Sequence, residues 1–207
     1  MRLAFCLALI CLLATGAQAA DLSVSLKTPK GQPVRDAVVT AYPAGGWGGG
    51  TIRFDWPYRM AQQNLQFDPF VLIVPAGASV AFPNRDTVRH QVYSFSPTHP
   101  FELKLYGKDE SRSVRFDKAG VVALGCNIHD SMVAFIKVVD TPFAAKSDGS
   151  GEAVVHGLPG GAVTVHVWHP YLKAQGNELV RTLTLPRDAS EMLVLDVRAP
   201  VLRRNAY

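Results

Sequence analysis

The stretch Cys126-Asn127-Ile128-His129-Asp130-Ser131-Met132 reads C-x2-H-x2-M, and the reading of the whole chain works outward from it. One loop between two strands can present a thiolate, an imidazole and a thioether to a single point. A thiolate and two imidazoles near one plane, with a weak thioether on the axis, form the ligand set of a copper site built for one-electron chemistry. The loop supplies three of these four donors, so the second imidazole must come from elsewhere. His90 is the best supplier, because it lies in the strand-like run Val88–Phe95 after the polar turn Pro83-Asn84-Arg85-Asp86. Neighbouring strands would set it beside the cysteine loop. Taken singly, a cysteine serves more often as a small buried hydrophobe than as a ligand, a histidine lies at the surface, and a methionine fills a core. The combination argues for a metal. Zinc also accepts two histidines and a cysteine, and the thioether tips the choice to copper.

Cysteine usage sharpens the point. Arg2 precedes the uncharged apolar run Leu3 to Leu13, and Ala17-Gln18-Ala19 is a small-residue cleavage signal. Residues 1–19 are therefore expected to be a secretory signal peptide, which places the folded product in the periplasm. Cys6 and Cys11 leave with it, and Cys126 remains alone. A lone thiol in an oxidising compartment needs burial, a reaction or a metal. No later run approaches the roughly 20 apolar residues of a membrane span, so no transmembrane segment is expected after cleavage. The 21 Lys+Arg against 17 Asp+Glu make a balance too mild for nucleic acid, and no basic run or RNA-binding motif is present. Arg203 and Arg204 belong to a basic tail, 200–207, read as a solvated end.

The rest of the chain reads as all-β. Short runs rich in β-branched and aromatic residues alternate with turn signals, as in a sandwich or barrel. Leu22, Val24 and Leu26 share one face of a first strand, and Ala37–Tyr42 is a second. Further strands are expected at Phe70–Val74, Ser79–Phe82, Val88–Phe95, Ser113–Phe116, Val121–Leu124 and Val133–Val139. After Asp140-Thr141-Pro142, strands are expected at Ala153–Val155, Val163–Trp168, Arg181–Leu185 and Met192–Val197. The glycine-rich run Ala44–Gly50 reads as a linker.

Residues 67–139 resemble the cupredoxins, the type 1 blue copper proteins, and most of all amicyanin and plastocyanin. The carrying residues are Phe67-Asp68-Pro69, Pro75-Ala76-Gly77-Ala78-Ser79-Val80, Asn84 with His90 six residues on, and Gly125-Cys126 to Met132. The resemblance implies a Greek-key β-sandwich or barrel over 59–140. It makes His90 and His129 the imidazole ligands, Cys126 the thiolate and Met132 the axial ligand of one type 1 copper. The flanking segments, 20–45 and 141–199, resemble a carboxypeptidase-regulatory or transthyretin-like β-sandwich, carried by Gly31-Gln32-Pro33-Val34 with Ala37-Val38-Val39 and by Ser147-Asp148-Gly149 through Leu158-Pro159-Gly160. The copper module would then be inserted into a second sandwich, with 46–58 as linker. The layout is similar to bacterial proteins labelled methylamine-utilisation proteins. Two departures stand out. Gln91 follows the first histidine where cupredoxins often have asparagine, and Asp130 follows the second where an apolar docking patch is common.

Three functions compete on these residues. The first is one-electron transfer with a periplasmic redox protein. The second is copper binding for tolerance or delivery, with a copper donor or acceptor as partner; Asp130 and Met60, a candidate accessory soft ligand, favour it. The third is a carbohydrate- or protein-binding module with a secondary metal site. An enzyme is not expected. A multicopper oxidase needs histidines flanking the cysteine, where Gly125 and Asn127 stand, and a dinuclear copper centre needs two cysteines. No nucleotide loop, nucleophile elbow or paired-carboxylate motif is found. His99, His156, His166 and His169 read as loop, structural or solvated residues. Trp47, Trp56 and Tyr58, beside the linker, read as packing between units. The oligomeric state has no signature in the sequence.

Overall fold

Leu22, Val24 and Leu26 are all fully buried on one side of a strand, while the residues between them stay half exposed. That two-residue alternation recurs through the computed structural model, which describes residues 19–185 and 187–198. The proposed signal segment up to residue 18 and the basic tail 200–207 lie outside the described residues. The chain is all-β, as expected. The strands are β1 (Ala19–Lys27), β2 (Val38–Pro43), β3 (Ala61–Gln63), β4 (Gln66–Asp68), β5 (Val71–Pro75), β6 (Ala78–Pro83), β7 (His90–Ser94) and β8 (Phe101–Tyr106). They continue with β9 (Ser111–Phe116), β10 (Gly120–Gly125), β11 (Val133–Val139), β12 (Ala144–Lys146), β13 (Glu152–Pro159), β14 (Gly161–Trp168), β15 (Glu178–Leu185) and β16 (Ala189–Val194).

The central strands form a five-stranded sheet in the order β5-β11-β10-β7-β8, with the two-stranded pairs β6-β9 and β3-β4 beside it. Phe82, Tyr106, Phe116, Ile136 and Val138 fill the core between them. The flanking strands form a three-stranded sheet, β13-β1-β16, and a four-stranded sheet, β12-β2-β14-β15. These enclose a second core of Leu22, Val24, Leu26, Val39, Val163 and Val165. A third apolar cluster joins the two: Val38 and Trp168 meet Val71, Ile73 and Val139. The rings of Trp168 and Phe135 pack edge to face across that seam, 5.9 Å between centroids. Polar ties fasten it. Lys137 Nζ lies 3.2 Å from Glu178 Oε1, and Tyr42 Oη donates to Asp140 Oδ1 at 2.9 Å. Trp56, beside the linker, stacks on Phe54 and donates its indole N–H to Ile73 O at 2.8 Å.

Several strands escape the sequence reading. In β8, Phe101 and Leu103 alternate with Glu102 and Lys104 without a β-branched residue, which suits an edge strand carrying charge. The short strands β3, β4 and β12 take their form from their partners rather than from propensity. The last strand is Ala189–Val194, not Met192–Val197. It pairs in parallel with β1, Leu193 opposite Leu26, after which the chain turns so that Val197 bridges Leu172.

Candidate metal centre

β10 and β7 are neighbours, joined where Gly125 faces Tyr93. This pairing brings Cys126, just past the end of one strand, to the start of the other, His90. A Cβ at position 125 would lie 2.7 Å from the far end of the Tyr93 ring, so the bare glycine lets that ring pack over the strand end. Cys126 and His90 are both buried. Cys126 Sγ lies 3.8 Å from His90 Nδ1 and 3.9 Å from His129 Nδ1. All three donor atoms fall within 4.8 Å of one another. Among the described residues, no other group of three or more His, Cys, Asp or Glu side chains converges in this way.

The loop after Cys126 turns back on itself, with the Met132 N–H donating to His129 O at 2.9 Å. This half-buries His129 and buries Met132 fully. The two imidazole rings stand 5.1 Å apart between centroids. Met132 and Cys126 help line an open cleft of about 830 Å³, together with Arg35, His169, Tyr171 and Arg198 from the loops of the flanking segments. Met60 is fully buried in the same apolar core as Cys126 and Met132.

The far nitrogen of His90 is held as firmly as the near one is aimed. Its Nε2 lies 2.8 Å from Asp86 Oδ2. A carboxylate only accepts, so Nε2 carries the proton and the Nδ1 lone pair is left facing the thiol. Asp86 is pinned in turn by the backbone N–H groups of Asn64 and Leu65, at 2.6 and 3.1 Å. Burial would raise the Asp86 carboxyl, but the hydrogen bonds from His90, Leu65 and Asn64 prevail and hold it below the ordinary carboxylate range. Asn84, fully buried, shapes the approach to His90. Its Nδ2 donates to Val88 O and Tyr106 O at 2.9 and 3.1 Å, and its Oδ1 accepts from the Asp86 N–H at 2.9 Å. Asp86 is the supporting residue that sequence reading passes over as part of a polar turn, whereas Asn84 enters it through its spacing to His90.

The donor set fits a first-row transition metal. Such an ion sits about 2.0–2.1 Å from imidazole nitrogen and about 2.3 Å from thiolate sulfur. These lengths put the two donors about 3.7–3.8 Å apart at a trigonal angle and about 3.5–3.6 Å apart at a tetrahedral one. The observed separations fall at the trigonal end or just beyond it.

The remaining histidines are used elsewhere. His156 Nδ1 meets Asp21 Oδ2 at 2.7 Å, and His166 Nδ1 meets Glu178 Oε2 at 2.8 Å. His99 Nε2 lies 3.0 Å from Lys118 O. Burial pushes the His169 imidazole below its usual range. Gln91 points away from the centre and donates to Glu102 Oε1 at 2.5 Å. Asp130 is exposed, while Leu65, Val88 and Ile128, on the three segments around the centre, are 45%, 42% and 46% exposed.

Among solved structures, the chain is similar to a purple cupredoxin from Nitrosopumilus maritimus, with 19% identity and a TM-score of 0.36 over 39% of this chain and 98% of that one. It is similar to a reduced variant of amicyanin, with 19% identity and a TM-score of 0.37 over 50% of this chain and 99% of that one. A third likeness is to a copper-containing nitrite reductase from Thermus scotoductus SA-01, with 24% identity and a TM-score of 0.39 over 56% of this chain and 28% of that one. No family model matches the chain, and no curated protein matches it.

Proposed function

We propose that this chain is a periplasmic copper protein of the cupredoxin type, holding one type 1 copper and passing single electrons to and from another redox protein. His90 and His129 would bind through Nδ1, Cys126 through its thiolate, and Met132 on the axis. The observation that carries the reading is the convergence of two Nδ1 atoms on one Sγ at 3.8 and 3.9 Å. The Met132 thioether on the same loop favours copper over zinc. Copper there would supply a couple between its two common oxidation states. The residues supply the rest. Asp86 keeps the His90 lone pair free, burial of Cys126 excludes water, and half-buried His129 offers the short way out for an electron. The exposed Leu65, Val88 and Ile128 suit a partner docking beside His129. We read residues 20–45 and 141–199 as one split unit of the carboxypeptidase-regulatory type around a copper unit at 59–140, linked by 46–58. Their separate apolar cores support this division.

A second reading, copper tolerance or delivery by the same ligands, is favoured by the exposed Asp130 beside His129 and by the cleft that borders the Cys126–Met132 loop. Loading with copper tests both. An intense visible thiolate-to-copper band is expected, and Cys126→Ser should abolish it. A colourless product that binds only zinc would defeat both readings. Redox cycling with copper retained supports the carrier; ready loss to a chelator supports handling.

A further inference from the structure

Gln62 is fully buried, and neither its Nε2 nor its Oε1 finds a hydrogen-bond partner; among the described residues it is the only buried side chain with such orphaned atoms. Buried polar groups are nearly always paired, and an exception calls for a cause such as an ion or water that completes it. A methionine of similar size would fill the same space at no polar cost.

The position of Gln62 points to what completes it. In the β3-β4 hairpin it stands opposite Phe67, which shares an apolar core with Cys126 and Met132 and lines the same cleft. On its other side it bridges Asn84, and its carbonyl accepts from the Arg85 N–H at 2.9 Å. Two and three residues on, Asn64 and Leu65 grip Asp86, the partner of His90. The hairpin thus closes over the His90 side of the centre. Tyr106, the cross-strand partner of His90, connects the pieces. Burial raises its hydroxyl to about 12. The Gln62 amide lies close enough to this hydroxyl to offset part of that rise. Yet Gln62 and Tyr106 do not reach hydrogen-bond geometry, and the Tyr106 hydroxyl donates instead to Phe82 O at 2.8 Å.

We propose that Gln62 is a positioning residue of the metal centre, its carboxamide satisfied only when the loaded centre is in place. This rests on the copper reading above. It implies that the amide is a liability in the metal-free protein and an asset in the loaded one. Two measurements test it. In the ¹⁵N-labelled full chain, the Gln62 side-chain NH₂ resonance should move with a 1:1 end point as Cu(I) is added. In Gln62→Met, the metal-free protein should melt no lower than the parent. Its copper affinity should fall about 10- to 100-fold, the range for residues that support a metal ligand, and its visible band and copper hyperfine splitting should shift. A coloured 1:1 complex with an unmoved Gln62 resonance would overturn the proposal, as would an unchanged Gln62→Met spectrum and affinity. Absence of any coloured complex would instead overturn the copper reading, and this inference with it. Because the resonance is read on the parent chain, the proposal stays testable even if the variant does not fold.

Discussion

The two histidines of the centre live in different worlds. His90 is fully buried, begins a strand, and has both ring nitrogens committed: one toward Cys126, the other to an Asp86 that two backbone N–H groups hold in place. His129 sits half-buried on a short loop, with its carbonyl closing the turn to Met132. One imidazole belongs to the scaffold and the other to the surface. A centre built this way keeps its inner geometry fixed by the fold while leaving one imidazole where a partner can approach it. The difference also explains why the supporting residues cluster on one side. Rigidity has to be built where the protein is dry, because an unpaired polar group there is costly.

The largest effect should come from removing each ring in turn. In His129→Gly, excess imidazole should enter the vacated place and restore the visible band. In His90→Gly it should not, since that site is closed to solvent. Equal rescue in both variants, read from the absorption spectrum, would erase the distinction. A smaller effect is expected one step back from the ligand. Asp86→Asn keeps the size but turns a donor toward Asn64 or Leu65 and weakens the hold on His90. Copper affinity should drop about 10- to 100-fold in a competition titration, and an unchanged affinity would show that His90 needs no such anchor. The smallest effect is expected far from either ring. Glu178 joins Lys137 to His166 across the seam between the two cores. Burial would raise its carboxyl, but the hydrogen bond from His166 and the charge of Lys137 hold it below the usual range. A carboxyl lowered in the folded state adds stability above its unfolded value, about 4.3, and that contribution fades as the pH falls through the folded one. Glu178→Gln should therefore cost about 1 kcal/mol or less near neutrality and almost nothing in strong acid. Urea melts at the two pH values would check this, with the copper spectrum unaltered.

How much of this could be read beforehand depends on range. The C-x2-H-x2-M loop is local, so Cys126, His129 and Met132 could be picked from their spacing alone. His90 needed only the guess that its strand adjoins the cysteine strand, and the Gly125–Tyr93 pairing is that neighbourhood. The alternation of Leu22, Val24 and Leu26 gave up its buried face at once. Asp86 was invisible for the opposite reason. Its role depends on a hairpin, residues 61–68, whose strands are too short to show a period. Gln62 looked like any polar residue in a polar stretch, and only the closed core makes it anomalous. β8 hid behind its charges, and the last strand was misplaced because its register follows β1 rather than its own apolar pattern.

The strand pairing has a consequence for how the molecule assembles. The centre and its core draw on one uninterrupted length of chain, residues 60–138. β1, by contrast, must wait for β13 and β16: Leu22 sits between Val155 and Ala189. Since distant pairings are entropically slow to close, the middle of the polypeptide is expected to condense before its two ends knit together, an order that pulsed hydrogen exchange during refolding would check. On that order His90, Cys126, His129 and Met132 would come together without waiting for β1.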